Sequence, residues 1–232
     1  MQKYIDAHCH YTTPMLPVMG AVFNSATMRD WVRADDAPYA GAIGIHPWYL
    51  DELAPDWDAQ MAQLLRANPD LMVGEIGLDV ARGDITRQIP VFVRQMALAH
   101  EFGRVAHIHC VRAWNRMLHV LAAGKLPPAI VFHSFRGNAE IAGAILQHTN
   151  AYFSFGPMCD ARSVCGVDME RILVESDAAA PGAAADALSR AVSRIAEFRH
   201  MTPESVSEII YNNTMGIIQN ARQITQNTPV VG

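Results

Sequence analysis

The sequence lacks the segments that mark exported, membrane-spanning or multidomain chains. Its first residues contain no basic segment followed by an apolar one, and no run of about 18 uncharged apolar residues occurs anywhere. No stretch rich in proline, glycine and serine divides the 232 residues, half of which are apolar. We therefore expect one large domain that is soluble and cytoplasmic, with no membrane partner.

Paired cysteines and excess positive charge are also missing, and each absence weighs against a class of function. The four cysteines, Cys9, Cys110, Cys159 and Cys165, form no CxxC pair, which argues against a structural zinc knuckle and a disulfide framework. The net charge of −5 weighs mildly against non-specific binding of nucleic acid, because phosphate affinity needs a basic surface. A locally basic cleft is still compatible with this charge.

The chain does contain a regular alternation of apolar runs and helical patterns. The apolar runs predict strands at residues 3–8, 20–24, 39–45, 71–76, 105–109, 129–133, 151–154 and 171–175. Helical spacing predicts helices near residues 28–33, 57–65, 89–96, 114–123, 138–148, 184–198 and 203–211, with a short helical piece around Asp160. The polar segment 223–232 is predicted to be a flexible C-terminal tail.

This order of elements predicts the fold class. Eight strands that alternate with helical segments in a chain of this length favour an α/β fold of the (β/α)8 TIM-barrel type. A doubly wound open sheet is the alternative, but no glycine-rich phosphate loop follows any strand. We expect a single barrel domain over residues 1–222.

Two histidines stand two residues apart at the end of the first predicted strand. Side chains alternate along a strand, so His8 and His10 point to the same face while Cys9 points to the other. At a rise of roughly 3.3 Å per residue, both imidazoles can reach one metal ion. On its own, the pair is either half of a metal site or a polar pair at a strand end.

Other ionisable residues also fall at the carboxyl ends of predicted strands, where barrels of this type build their active sites. Together with the histidine pair, the set is His8, His10, His46, Glu75, His109, His133 and Asp177. A mixed set of nitrogen and oxygen ligands suits zinc, manganese or a similar divalent ion. Without His46, the four histidines and two carboxylates still exceed the need of one tetrahedral site, so the set favours two metals bridged by a shared carboxylate or hydroxide.

The clustering of carboxylates supports a bound cation. Asp6, Glu75, Glu175 and Asp177 would repel one another at one barrel mouth, and a metal ion removes that penalty. Metal would acidify a bound water, and Asp177 could accept its proton. The reaction class that follows is hydrolysis.

Seven short motifs follow one another along the chain. In order, they are IDAHCH, GIHP, GEIGLD, IHC at 108–110, FHSFRG at 132–137, ESD at 175–177 and NNT at 212–214. Together they resemble the motifs of the TatD family of metal-dependent hydrolases, part of the amidohydrolase superfamily. The resemblance extends from residue 4 to about residue 218. It implies a somewhat distorted (β/α)8 barrel that holds one or two divalent ions, such as Zn, Mg or Mn.

The resemblance also implies a role for each candidate ligand. The implied metal ligands are His8 and His10 for one ion, Glu75 between two ions, His109 and His133 for the second ion, and Asp177 as the last ligand. Asp177 corresponds to the general base as well, so Glu75 and Asp177 are the implied catalytic residues. The chain departs from the family pattern in the loop FHSFRG and after Asp177, where Pro181 is displaced behind three alanines. Substrate identity depends on these two loops.

Further polar residues near the strand ends are predicted to support the site. Glu175 is predicted to orient a ligand rather than bind metal, and His107 to pack one layer deeper in the barrel. His46 is predicted either to contact substrate or to form a structural turn. Arg136 is either a contact for a phosphate or carboxylate or a solvated surface side chain. Asp6 is predicted to hydrogen-bond neighbouring backbone.

The family resemblance implies hydrolysis of DNA phosphodiester bonds, as a deoxyribonuclease or exonuclease acting on DNA ends. An ester, lactone or amide hydrolase with the same metal centre is the alternative, and a metal-binding protein without efficient catalysis is a third hypothesis. The nearby basic residues are Arg82, Arg112 and Arg136, so we expect DNA binding to be weak and strongly salt-dependent. The sequence leaves the oligomeric state open.

Overall fold

The computed structural model describes residues 4–227, and these form an eight-stranded parallel barrel. The strands are β1 Tyr4–Cys9, β2 Val18–Asn24, β3 Ala40–Ile43, β4 Met72–Asp79, β5 Ala106–Val111, β6 Ile130–Phe132, β7 Ala151–Phe155 and β8 Ile172–Val174. Each strand pairs in parallel with the next strand along the chain, from β1 to β8. The predicted (β/α)8 barrel is confirmed, and the open sheet is wrong because this strand order has no reversal.

The barrel closes through irregular contacts at its carboxyl end. Among residues 4–227, no strand ladder joins β8 to β1. Instead, the Asp177 amide donates to the His8 carbonyl at 3.1 Å, and the His10 amide donates to the Ala178 carbonyl at 2.9 Å. Register shifts in β1–β2 and β4–β5 add to the distortion. Closure therefore takes place among the residues predicted to form the site.

The helices pack outside the strands. They are α1 Trp31–Asp35, α2 Trp57–Ala67, α3 Ile85–Glu101, α4 Trp114–Ala123, α5 Ala139–Leu146, α6 Ala161–Cys165, α7 Ala184–Arg199 and α8 Pro203–Asn227. Side-chain caps start several of them, since Asp84 accepts from the Thr86 amide and Asn138 from the Ile141 amide. Within the described part of the chain, no helix has the length and apolar character needed to cross a membrane.

Helix α8 is longer than the prediction of residues 203–211. Its buried positions Val206, Ile210, Ile217 and Ile218 continue the helical spacing past residue 211. Asn213, a weak helix former, is satisfied by donating to carbonyls of the segment before and within β8. The helix runs to Asn227 and so includes residues 223–227 of the predicted tail, and the rest of that segment lies outside the described residues. A flexible C-terminal tail stays a prediction.

The apolar core has two parts. One layer lies between strands and helices, and a second fills the lower barrel interior. Ile5, Val22, Met72 and Leu173 belong to this inner layer, together with Ile217 and Ile218 of α8. The interior is thus apolar towards the amino ends of the strands, which leaves the carboxyl ends for polar side chains.

Replacing Gly77 with alanine is expected to destabilise the barrel by about 3 kcal/mol or more. Gly77 has a φ of +152°, and an added Cβ would overlap the carbonyl of His109 on the neighbouring strand β5. Urea denaturation of the metal-free proteins measures the loss. Gly143→Ala is the matched control, because nothing lies near that position in α5, and it should gain about 0.5–1 kcal/mol. Equal stability of Gly77→Ala and the parent would contradict the tight β4–β5 contact.

Candidate metal centre

One carboxylate oxygen of Glu75 faces the histidine pair of β1. Glu75 Oε2 lies 3.4 Å from His8 Nε2 and 3.6 Å from His10 Nε2. Asp177 Oδ1 faces the same two ring nitrogens, 4.0 Å from His8 Nε2 and 3.4 Å from His10 Nε2. The structure therefore brings the ends of β1, β4 and β8 together around one small space.

The other carboxylate oxygen of Glu75 faces a second set of histidines. Glu75 Oε1 lies 2.8 Å from His133 Nε2, 3.0 Å from His109 Nδ1 and 3.3 Å from His46 Nε2. His109 Nδ1 and His133 Nε2 are themselves 3.0 Å apart. Because the two oxygens face different histidines, Glu75 lies between two groups of nitrogen donors.

His46 is positioned to orient Glu75. Its Nδ1 accepts a hydrogen bond from the Trp48 amide at 3.2 Å, so in this tautomer Nε2 carries the proton and faces Glu75 Oε1. The ring is buried and stands edge-on to the His109 ring, 4.5 Å away. His46 thus forms part of the wall of the cluster. Whether it contacts substrate, as one of the two alternatives for this residue holds, stays a prediction.

Burial and charge act in opposite directions on the ionisable groups. Burial alone would raise the pKa of Glu75, but His133 and the other histidines hold that pKa well below its ordinary value. Burial would lower the pKa of His133, yet Glu75 and Glu175 raise it well above the ordinary value. Burial lowers the pKa of His8, which keeps that ring neutral. A neutral imidazole offers a lone pair to a metal ion.

The donor atoms fit a divalent metal ion. Neither ring nitrogen of the fully buried His8 has a hydrogen-bond partner among the described residues, and buried polar atoms normally have one. Ligand atoms within 4.8 Å of one another occur in three groups: His8, His10 and Glu75; His8, His133 and Asp177; and His46, Glu75 and His109. Imidazole and carboxylate ligands of this kind bind divalent ions such as zinc or manganese.

Glu175 contacts the outer side of His133. Its Oε1 lies 3.4 Å from His133 Nδ1 and accepts 2.8 Å hydrogen bonds from both the amide and the hydroxyl of Ser134. The carboxylate is fully buried. These contacts are made at the ring nitrogen opposite the one that faces Glu75, and an orienting role for Glu175 stays a prediction.

Asp6 connects β1 to the segment that carries Asp177. It accepts hydrogen bonds from the Tyr11 hydroxyl at 2.7 Å and from the Ser176 amide at 2.9 Å. The His8 amide lies at 3.4 Å from the same carboxylate. Burial raises the pKa of Asp6 to about 7, although the Ser176 and Tyr11 hydrogen bonds oppose the rise. Asp6 therefore contacts neighbouring backbone, as predicted, and also the loop after β8.

Asp79 belongs to the site, although the sequence reading gave it no role. Its Oδ2 accepts from Trp48 Nε1 at 2.6 Å and lies 3.3 Å from His109 Nε2, and its Oδ1 accepts from the Ala81 amide at 2.8 Å. The sequence does contain a feature that points to Asp79, because this residue ends the motif GEIGLD, four residues after Glu75 on the same strand. The predicted strand ended at residue 76, which hid this position.

Asp79→Asn is expected to weaken metal binding about 10- to 100-fold. With its proton on Nε2, His109 donates to Asp79 and presents Nδ1 to the Glu75 side, and an amide at position 79 weakens the preference for that tautomer. Calorimetric titration with Mn²⁺ or Zn²⁺ measures the affinity. Asp168→Asn, an exposed change without a side-chain cap hydrogen bond, is the control. Unchanged affinity in Asp79→Asn would contradict the orienting role.

Arginine side chains lie at the same end of the barrel. Arg82, Arg112 and Arg136 are exposed in the loops that follow β4, β5 and β6. The Arg82 guanidinium carbon lies 4.2 Å from the centre of the Trp48 ring. His107 is buried beneath the cluster, with its ring centre 6.1 Å from that of His8. A role for Arg136 in binding phosphate or carboxylate stays a prediction.

The fold and the cluster define a (β/α)8 barrel with a histidine–carboxylate cluster at its mouth. The family model described as TatD related DNase matches residues 18–219. The chain belongs to this family, and the predicted resemblance is confirmed.

Individual proteins and structures agree with the family. The chain is 32% identical over 146 residues to a 3′-5′ ssDNA/RNA exonuclease TatD of Edwardsiella piscicida, and the match covers 58% of this chain and 56% of that protein. It is 24% identical to an uncharacterized metal-dependent hydrolase of Methanocaldococcus jannaschii, covering 91% and 95% of the two chains. This chain therefore spans little more than half the length of the exonuclease that it matches.

Two solved structures share the fold. YJJV, a TatD homolog from Escherichia coli K12, superposes with a TM-score of 0.79 at 21% identity, covering 93% of this chain and 98% of its own. An uncharacterized amidohydrolase from Saccharomyces cerevisiae gives a TM-score of 0.71 at 13% identity, covering 94% and 100%. At these identities, the likeness establishes the barrel architecture.

Proposed function

We propose that the chain is a divalent-metal-dependent phosphodiesterase that removes nucleotides from the ends of single-stranded DNA. The observation that carries the proposal is the position of Glu75, whose two oxygens face separate sets of histidines. A carboxylate in this position would suit a centre of two divalent ions, which would stabilise the charge on the oxygens of a phosphoryl group. The name of the exonuclease relative supports this substrate class.

The proposed cofactor is one or two divalent ions, with Zn²⁺, Mn²⁺ and Mg²⁺ as candidates. His8, His10 and Asp177 would hold one ion and His109 and His133 the other, with Glu75 between them. When bound, these ions polarise the phosphoryl oxygen and lower the pKa of water. The uncharacterized metal-dependent hydrolase relative supports the use of metal.

Asp177 is the proposed general base. Its side chain is 47% exposed, so it borders both the buried histidines and the open cleft. Burial raises the pKa of Asp177, but the His10 hydrogen bond and the charges of His8 and His133 outweigh it and lower that pKa. The carboxylate is therefore ionised at neutral pH and can accept a proton from the attacking water.

The surface favours short or single-stranded ends over long duplex DNA. The net charge is −5, and the basic side chains near the mouth include the three exposed arginines already described and Arg33, whose guanidinium donates to the His10 carbonyl at 3.0 Å. Each phosphate contact made by such a side chain releases counterions, so affinity should fall steeply as salt is raised. A few contacts of this kind fit a single strand held at its end.

The test combines metal analysis with a panel of substrates. Purified protein is analysed for bound metal, and then assayed with Mg²⁺, Mn²⁺ or Zn²⁺ on single-stranded DNA labelled at either end, an aryl phosphodiester and an aryl ester. We expect stepwise shortening of the DNA, abolished by a chelator. Turnover of the ester without DNA cleavage would favour the small-ester hydrolase instead, and bound metal without any turnover would favour a non-catalytic protein.

A further inference from the structure

A large aromatic side chain stands exposed at the edge of the metal cluster. Trp48 follows β3, lines the same cleft as His10, His46 and Asp177, and is 43% exposed. Its ring centre lies 4.7 Å from that of His46 and 6.1 Å from that of His109. The indole is therefore within a nucleotide's reach of any phosphate held at the cluster.

The Trp48 ring is held in place by buried groups. Its Nε1 donates a 2.6 Å hydrogen bond to Asp79 Oδ2, and its amide donates to His46 Nδ1 at 3.2 Å. Asp79 is 2% exposed, so the anchor of the indole is itself fixed. Because the edge of the ring is already fixed and the ring is open to solvent, little conformational entropy is lost when a flat ligand stacks on it.

A positive charge accompanies the ring. The Arg82 guanidinium lies over Trp48, with 4.2 Å between its carbon and the ring centre. The loop that carries Arg82 is fixed by the buried Gln88, whose Nε2 donates to the Arg82 carbonyl at 2.7 Å and to the Asp79 carbonyl at 2.9 Å. An aromatic ring beside a cation is the combination that binds single-stranded nucleic acid, through base stacking and phosphate attraction.

We propose that Trp48 and Arg82 form a nucleobase platform, which stacks a base of the terminal nucleotides while their phosphodiester lies at the metal cluster. This inference rests on the proposed nuclease function and adds a residue that selects nucleotides over small phosphodiesters. Stacking is tolerant of base identity, so the platform recognises any base and rejects a sugar without one. Trp48 therefore determines the substrate class, and the histidines and carboxylates perform the chemistry.

The test compares two single-stranded oligonucleotides that differ only in having bases, or abasic tetrahydrofuran residues, at the last two positions of the cleaved end. We expect the wild-type protein to prefer the base-bearing end about ten-fold in kcat/KM, mainly through KM. Trp48→Leu should bring the ratio close to one, whereas Trp48→Phe should keep most of it. Met158→Leu, at a residue 72% exposed in the loop after β7, is the control and should leave the ratio unchanged.

The outcomes separate this inference from the proposed function. If the wild type cleaves both oligonucleotides equally well, the platform is overturned and the nuclease stands. If Trp48→Leu slows both substrates equally and keeps the preference, Trp48 acts only through Asp79, which also overturns the platform. If the wild type cleaves neither oligonucleotide, both proposals fail. The aromatic Trp48→Phe variant also lacks the indole N–H, so its rescue of the ratio would assign the effect to stacking.

Discussion

With Glu75 replaced by glutamine, the protein is expected to lose cleavage of single-stranded DNA, with kcat falling at least about a thousand-fold. In the parent, Glu75 presents one carboxylate oxygen to His8 and His10 and the other to His109 and His133. An amide keeps one oxygen and turns an NH2 group towards the second set. That set would then face a hydrogen-bond donor in place of a carboxylate oxygen, which removes one of the two carboxylate contacts that Glu75 makes.

The Glu75→Gln barrel should remain folded, because the two side chains have nearly the same volume and the surrounding strands are unchanged. Circular dichroism and thermal unfolding check the fold, while calorimetric titration follows the loss of metal binding. Glu101→Gln, at an exposed position at the end of α3, serves as the matched control with full activity. A folded Glu75→Gln protein with normal rates would contradict the proposed role of Glu75 as a ligand between two ions.

The barrel could be predicted because its signal repeats along the chain. Each apolar run contributes one strand, and the structure places all eight in sequence order. The ends of elements were less predictable. β4 continues through Asp79, where the strand pairs with β5, and such pairing depends on a partner about 30 residues away. Likewise, α8 extends because its buried face contacts the barrel base.

The six implied ligands could be found because they lie on or just after five of the strands, β1, β4, β5, β6 and β8. The structure brings four histidines around Glu75, and Asp177 next to two of them. Their binding of metal stays a prediction. The supporting contacts were harder to foresee, since Asp79 joins Trp48 after β3 to His109 on β5. These three residues are far apart in sequence and have no fixed spacing. They meet only because neighbouring strands end at the same rim.

Asp177→Asn is the second change with a large expected effect, a fall in kcat of roughly 100- to 10,000-fold. Asp177 has a φ of +52°, and asparagine tolerates the left-handed region as well as aspartate does. The backbone link from the Asp177 amide to the His8 carbonyl is therefore expected to survive. What the variant loses is a group that can take up a proton.

The dependence on pH tests whether Asp177 is already ionised in the wild type at neutral pH. The pKa of Asp177 is lowered by His10 against the effect of burial, so the wild-type carboxylate stays ionised well below neutrality. Rates of Asp177→Asn should then be reduced by the same factor between about pH 6 and about pH 8. The exposed Asp36→Asn is the control. Near-normal rates in Asp177→Asn would assign the proton transfer to another group, and the open side of the cleft would no longer be where the attacking water is activated.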